Sequence, residues 1–132
     1  MDENSLRSIA LFDSLPGDAR RAIAQHADEL DVPEGTELAH QGDFAYEFFV
    51  IEEGGADVLR DGEKIAELGP GDFLGEMGIV NKVVRNASVV TTAPSRVIVM
   101  SEQGFRSMSR NNPAVASRIS AAVEQRCQSL VS

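Results

Sequence analysis

The sequence is poor in the residues that most chemistry needs: it has one cysteine, Cys127, and two histidines, His26 and His40. A lone thiol closes no disulfide within the chain, so a reducing, cytoplasmic setting is expected. Cys127 falls on the last expected helix, where packing rather than reactivity is the ordinary role. The two histidines stand far apart, with no partners at metal-ligand spacing, so no metal site and no cofactor are expected. That scarcity also argues against a cupin-type β-barrel oxygenase, which clusters histidines. No Ser-His-Asp or Cys-His arrangement is evident, and no enzyme activity is expected. Long apolar runs are missing as well. The densest patch, Phe48-Phe49-Val50-Ile51, is strand length and far short of the roughly eighteen residues of a membrane span. The acidic start, Met1-Asp2-Glu3-Asn4, is followed by no apolar segment of the kind a secretory signal carries.

Positive charge is also scarce: the formal net charge is −9. Duplex binding needs clustered Lys and Arg facing phosphates, so direct contact with nucleic acid is not expected. The charge is uneven, however. From Met77 through Ser101 there is no Asp or Glu, while Lys82, Arg85 and Arg96 fall in that stretch. Such a segment could hold one small anion, or it could be two strands that crowd out acids.

What is present suffices for one core: 132 residues, 42% of them hydrophobic, read as a single domain spanning 1–132. The first segment, about 5–29, reads as helical. Leu6, Ile9 and Ala10 share a face, and Ile23, Ala27 and Leu30 continue a helical period. Pro16 suits a first helical turn, and Arg20, Arg21, Gln25 and Asp28 are placed toward solvent. From about 31 to 100 short strands alternate with turns at Pro33-Glu34-Gly35, Gln41-Gly42-Asp43, Glu53-Gly54-Gly55, Asp61-Gly62 and Gly69-Pro70-Gly71-Asp72. That spacing belongs to a sandwich or barrel. Asp61-Gly62, between Asp57-Val58-Leu59-Arg60 and Glu63-Lys64-Ile65-Ala66, predicts a two-residue type I′ hairpin. Helix returns over about 102–130, with Asn112 as N-cap and Pro113 as N1 of the last helix. Val115, Ile119, Ala122, Val123 and Leu130 form its apolar face. The layout is an α+β, mainly β, antiparallel β-roll between terminal helices.

The segment Phe73-Leu74-Gly75-Glu76-Met77-Gly78-Ile79 followed by Arg85-Asn86-Ala87-Ser88-Val89 is the most informative. Glycines at 75 and 78 allow close approach to the backbone. A short helical turn would turn free amides toward an anion. Arg85 supplies a planar fork for two phosphate oxygens, and Glu76 an acceptor for a sugar hydroxyl. These residues suit a cyclic nucleotide. They equally describe a turn followed by a solvent-exposed arginine.

The same stretch closely resembles the phosphate-binding cassette of the cyclic-nucleotide-binding domain family, which includes catabolite activator protein, protein kinase A regulatory subunits and cyclic-nucleotide-gated channels. Glu76 and Arg85 have the family's separation, and Ala87, Ser88 and Val89 follow in register. Val32 through Thr36, Gln41-Gly42-Asp43, Phe49-Val50-Ile51, Asp61-Gly62 and Leu68 through Asp72 resemble other family turns and strands. The likeness covers nearly the whole chain. Two positions depart from the pattern: Val84 stands where proline often precedes the arginine, and Asn86 where Ala, Ser or Thr is usual.

The resemblance implies a jelly-roll type β-roll that binds cyclic AMP, with cyclic GMP as the alternative ligand. It implies that Arg85 takes the exocyclic phosphate oxygens, that Glu76 accepts from the 2′-hydroxyl, and that Gly75 lends its backbone to the ribose side. The amides of Met77, Gly78 and Asn86 would complete the phosphate cradle. Arg126, on the last helix, matches the arginine that packs on the purine in channel-type members, although a solvated helix arginine would look the same. That helix would pass the signal to another protein or domain, and could join two copies of the chain as a homodimer. Only Val131 and Ser132 follow Leu130, so the winged helix of the family's transcription factors is not expected here. The alternative outside this class is a nucleotide-free scaffold for protein contacts.

Overall fold

Two strands of the central segment carry apolar residues on consecutive positions, which buries both of their faces and calls for a layer on each side. In the computed structural model these are β3 (Glu47–Glu53) and β8 (Ser95–Ser101). The structure describes residues 1, 3–7, 9, 11–44, 47–75 and 85–130, with Glu3 and 122–130 described through their backbone only. A 3-10 turn (Glu3–Leu6) and α1 (Gly17–Ala24) lead into β1 (Ala27–Val32), β2 (Glu37–Ala39) and β3. Then come β4 (Ala56–Arg60), β5 (Glu63–Leu68), β6 (Phe73–Leu74), β7 (Ser88–Thr91) and β8, and finally α2 (Glu102–Asn111) and α3 (Pro113–Leu130).

The strands form two four-stranded antiparallel sheets, ordered β1-β8-β3-β6 and β2-β7-β4-β5. Alternation along β3 and β8 divides the core. Phe49, Ile51, Val97 and Val99 face the second sheet and pack with Ala39, Ala56, Leu74 and Val89. Phe48, Val50, Ile98 and Met100 face the helices and pack with Leu6, Phe12, Ile23, Phe105, Met108, Val115 and Ile119. Phe48 anchors this second layer, its ring centroid 4.7 Å from Phe105 and 5.7 Å from Phe73. Each such fully buried side chain contributes about 1.5–3 kcal/mol. The β-roll expected from the turn spacing is thus the observed fold. Asp61 (φ 54) and Gly62 (φ 83) form the predicted hairpin turn, both in the left-handed region that type I′ requires.

The amino-terminal segment differs from the helix expected over about 5–29, and the strands begin before residue 31. Helix α1 ends at Ala24, and Ala27 opens a strand that pairs with β8 from Ala27↔Met100 to Val32↔Ser95. Ala27 is buried but Leu30 is 45% exposed, so the supposed helical stripe lies along an edge strand. Pairing with a distant, fully buried strand outweighs local helical periodicity. Pro16 caps α1 in an extended conformation instead of opening it. Arg20, expected in solvent, is buried and donates from Nη1 to the Leu15 carbonyl.

At the other end, Ser101 caps α2, its Oγ accepting from Gly104 N at 3.1 Å. Asn112 does not use its side chain on α3; Nδ2 donates backward to the Met108 carbonyl at 3.1 Å. Its own carbonyl accepts from Val115 and Ala116 in the first turn of α3. Among the described residues no helix is long and apolar enough to cross a membrane.

Candidate functional site

Strand β6 is the edge of one sheet and β7 an inner strand of the other. The link between them runs from Gly75 to Ala87, and its two described ends meet in space. Gly75 has φ +98, a conformation that side chains rarely adopt. A Cβ there would also collide with the carbonyl oxygen of Glu47, the first residue of β3. That same oxygen accepts a hydrogen bond from Arg85 Nη2 at 3.1 Å. Arg85 Nη1 lies 3.3 Å from the position a Gly75 Cβ would take. The guanidinium therefore rests against bare backbone.

The backbone of Arg85 is held as firmly as its side chain. Its N–H donates to the Asp43 carbonyl at 2.8 Å, and its carbonyl accepts from Gly42 N at 2.9 Å. The carbonyl of Asn86, an exposed residue, accepts from Arg60 Nε at 3.3 Å. Ala87 is buried, which keeps that position small, and Ser88 Oγ accepts from Gln41 N at 2.9 Å. A half-buried, permanently charged fork that donates to the Glu47 carbonyl is suited to recognising a small anion with paired oxygens.

Of the residues expected at the site, Gly75, Arg85 and Asn86 are brought to one corner of the roll. Glu76, Met77, Gly78 and Val84 lie outside the described residues. Arg126 is on α3, but its side chain is likewise outside them. Sequence reasoning treated Gln41-Gly42-Asp43 and Asp61-Gly62 as turns only and did not single out Glu47 or Arg60. Glu47 contributes a main-chain carbonyl, for which no side-chain signal exists.

The largest electrostatic perturbation among the described residues lies elsewhere, at the far end of β3. Burial, and then the neighbouring Glu29 carboxyl on β1, push the Glu52 carboxyl up to about 7. Glu29 Oε2 and Glu52 Oε2 are both buried without a hydrogen-bond partner. Arg96 on β8 opposes the shift only in part, its Nε being engaged with Asp31 at 2.9 Å. Among the described residues no group of three or more His, Cys, Asp or Glu could hold a metal ion.

Residues 29–112 match the family model of the cyclic nucleotide-binding domain. The chain belongs to that family, as a cyclic nucleotide-binding domain. It is 28% identical over 106 residues to a cAMP-dependent protein kinase regulatory subunit of Hypocrea atroviridis. The match covers 80% of this chain and 23% of that protein, so the chain spans about a quarter of the relative's length. Among solved structures, the catabolite activator protein of Thermus thermophilus superposes with a TM-score of 0.78 at 24% identity, over 89% of this chain and 58% of that one. The regulatory domain of Toxoplasma gondii PKA with cAMP gives a TM-score of 0.78 at 20% identity, over 92% and 48%. At such identities the structural matches establish the fold.

Proposed function

We propose that this chain is a cyclic AMP sensor whose ligand seats its phosphate on Arg85. The observation that carries this reading is the convergence of Arg85 and Gly75 on the Glu47 carbonyl, within a segment that matches the family. The guanidinium pairs with the exocyclic phosphate oxygens, and Glu76 accepts from the 2′-hydroxyl. Amides of Met77, Gly78 and Asn86 complete the cradle, and the Gly75 backbone lines the ribose side. The preference for adenine is supported by the relatives, which include cAMP-dependent regulatory subunits.

Helix α3 is the proposed output element, with Arg126 covering the purine. Ligand binding shifts α3 from an open to a closed arrangement, and α3 carries the change to another protein or domain. Cyclic GMP is the second reading, favoured by Asn86: an exposed carboxamide directly after Arg85 could accept from the guanine 2-amino group.

Calorimetric titration of the chain with cyclic AMP and with cyclic GMP tests the proposal. Tighter binding of cyclic AMP supports it, tighter binding of cyclic GMP transfers the assignment to the second reading, and no binding of either overturns both.

A further inference from the structure

Arg85 and Asn86 are gripped from a direction that a phosphate-binding segment does not itself supply. Gln41 and Asp61 are twenty residues apart in sequence, yet they make a reciprocal pair. Gln41 Nε2 donates to Asp61 Oδ1 at 2.9 Å, and Gln41 Oε1 accepts from Asp61 N at 2.9 Å. Asp61 is the first residue of the β4–β5 hairpin turn. Gln41 is in turn locked to β7 through its own N–H on Ser88 Oγ. The next two residues, Gly42 and Asp43, exchange hydrogen bonds with both peptide groups of Arg85. From the same hairpin, Arg60 Nε reaches the carbonyl of Asn86.

We infer that the tip of the β4–β5 hairpin is a positioning device for Arg85, acting through Asp61 on the 41–43 loop and through Arg60 on Asn86. The inference rests on the proposed role of Arg85. A guanidinium stands at the end of a long side chain, so a small rotation of its backbone becomes a large displacement of its nitrogens. Three polar groups fix that rotation here: Arg85 N–H, Arg85 C=O and Asn86 C=O. All three are satisfied by residues that the hairpin holds. Arg60 and Asp61 touch no ligand in this scheme; they set where Arg85 points.

The turn geometry permits a clean test. Asp61 sits at φ 54, so replacement by alanine would add backbone strain, whereas glycine accepts that conformation and removes only the carboxylate. Asp61→Gly is expected to weaken cyclic AMP binding about three- to tenfold, the range of one lost hydrogen bond. Asp61→Asn, which keeps an acceptor and tolerates the left-handed conformation, should restore affinity to about wild type. Arg60→Ala should weaken binding in the same direction.

Two further readouts separate positioning from mere stability. The Arg85 N–H should exchange faster in ligand-free Asp61→Gly than in wild type. The affinity ratio for the two phosphorothioate diastereomers of cyclic AMP, which reports the placement of the exocyclic oxygens, should also move. A lower Tm with unchanged affinity, diastereomer ratio and Arg85 exchange would reduce the hairpin contact to a structural one and overturn the inference. If wild type binds neither cyclic nucleotide, the proposed function fails. The Arg85 exchange comparison, made without ligand, then still decides whether the hairpin positions Arg85.

Discussion

Arg85 Nη1 lies 3.3 Å from the point where a side chain on Gly75 would begin, and the Glu47 carbonyl touches both positions. The arginine occupies the room that the glycine leaves open. Ten residues apart in sequence, the two are one structural unit.

Gly75→Ala should therefore damage the site twice over. The methyl group meets the Glu47 carbonyl, which belongs to a core strand and cannot step aside, and φ +98 is unfavourable for any side chain. Strain of this kind costs about 1–3 kcal/mol. The expected outcome is a lower Tm together with at least a roughly fivefold loss of cyclic nucleotide affinity, read by thermal denaturation and calorimetry. Wild-type values for both would show that residue 75 takes another conformation.

Arg85→Leu should remove binding and leave the fold. Truncating one partner of a desolvated charge pair costs about 2–5 kcal/mol, or roughly thirty-fold to several thousand-fold in affinity. Arg85→Lys should recover only part of the loss, because a single ammonium cannot hold the Glu47 carbonyl and pair with two oxygens in one plane. Titration of both variants, with circular dichroism as the fold control, measures this. Undiminished affinity in Arg85→Leu would move the phosphate to another site.

The Glu52 carboxyl sets a pH dependence of stability. Its native pKa, about 7, lies above the ordinary value of 4.5. Between those values the folded state binds more protons than the unfolded state, so this group makes stability fall as pH rises from about 4.5 to about 7. The contribution is fully lost above that window. The groups facing it are Glu29, Arg96 and Glu53. Glu52→Gln should flatten the slope and raise stability at pH 8 relative to wild type, as measured by urea unfolding from pH 5 to pH 8. An unchanged slope in the variant would assign the effect to other carboxylates.

Arg118 ties α3 to the segment before α1. Nη1 donates to the Leu11 carbonyl at 3.0 Å, Nη2 donates to Ser14 Oγ, and Asp13 lies 3.5 Å from Nη1. Arg118→Ala should speed amide exchange along α3 while the β-strands keep their protection, because terminal elements open independently of the core. The loss in global stability should be modest, about 1 kcal/mol. Hydrogen-exchange mass spectrometry checks this, and unchanged exchange in α3 would show that Val115 and Ile119 alone hold the helix.

Local chemistry was enough to read much of this chain. Asp61-Gly62 forms a type I′ turn because both residues tolerate positive φ, a property of two adjacent residues. The continuous apolar run Phe48-Phe49-Val50-Ile51 signals a strand buried on both faces for a similar reason. The segment proposed to bind phosphate could be singled out because its glycines, Glu76 and Arg85 are close in sequence and their spacing is a family pattern.

Other features depended on partners remote in the chain. Ala27 and Leu30 fit a helical period as well as a strand. Only the pairing with β8, some seventy residues away (Ala27↔Met100), makes Ala27–Val32 an edge strand. Arg20 looks like a surface residue until the Leu15 carbonyl and the packed amino-terminal segment enclose it. The grip on Arg85 is of the same kind. Gln41, Asp61, Glu47 and Arg60 come from three separate turns and strand ends, and the direct contacts that Glu47 and Arg60 make to the 85–86 segment use main-chain carbonyls, which every residue possesses. Spacing and residue type report what neighbours along the chain can do; burial and main-chain pairing arise only when distant segments close on one another, and here that closure decided where Arg85 points.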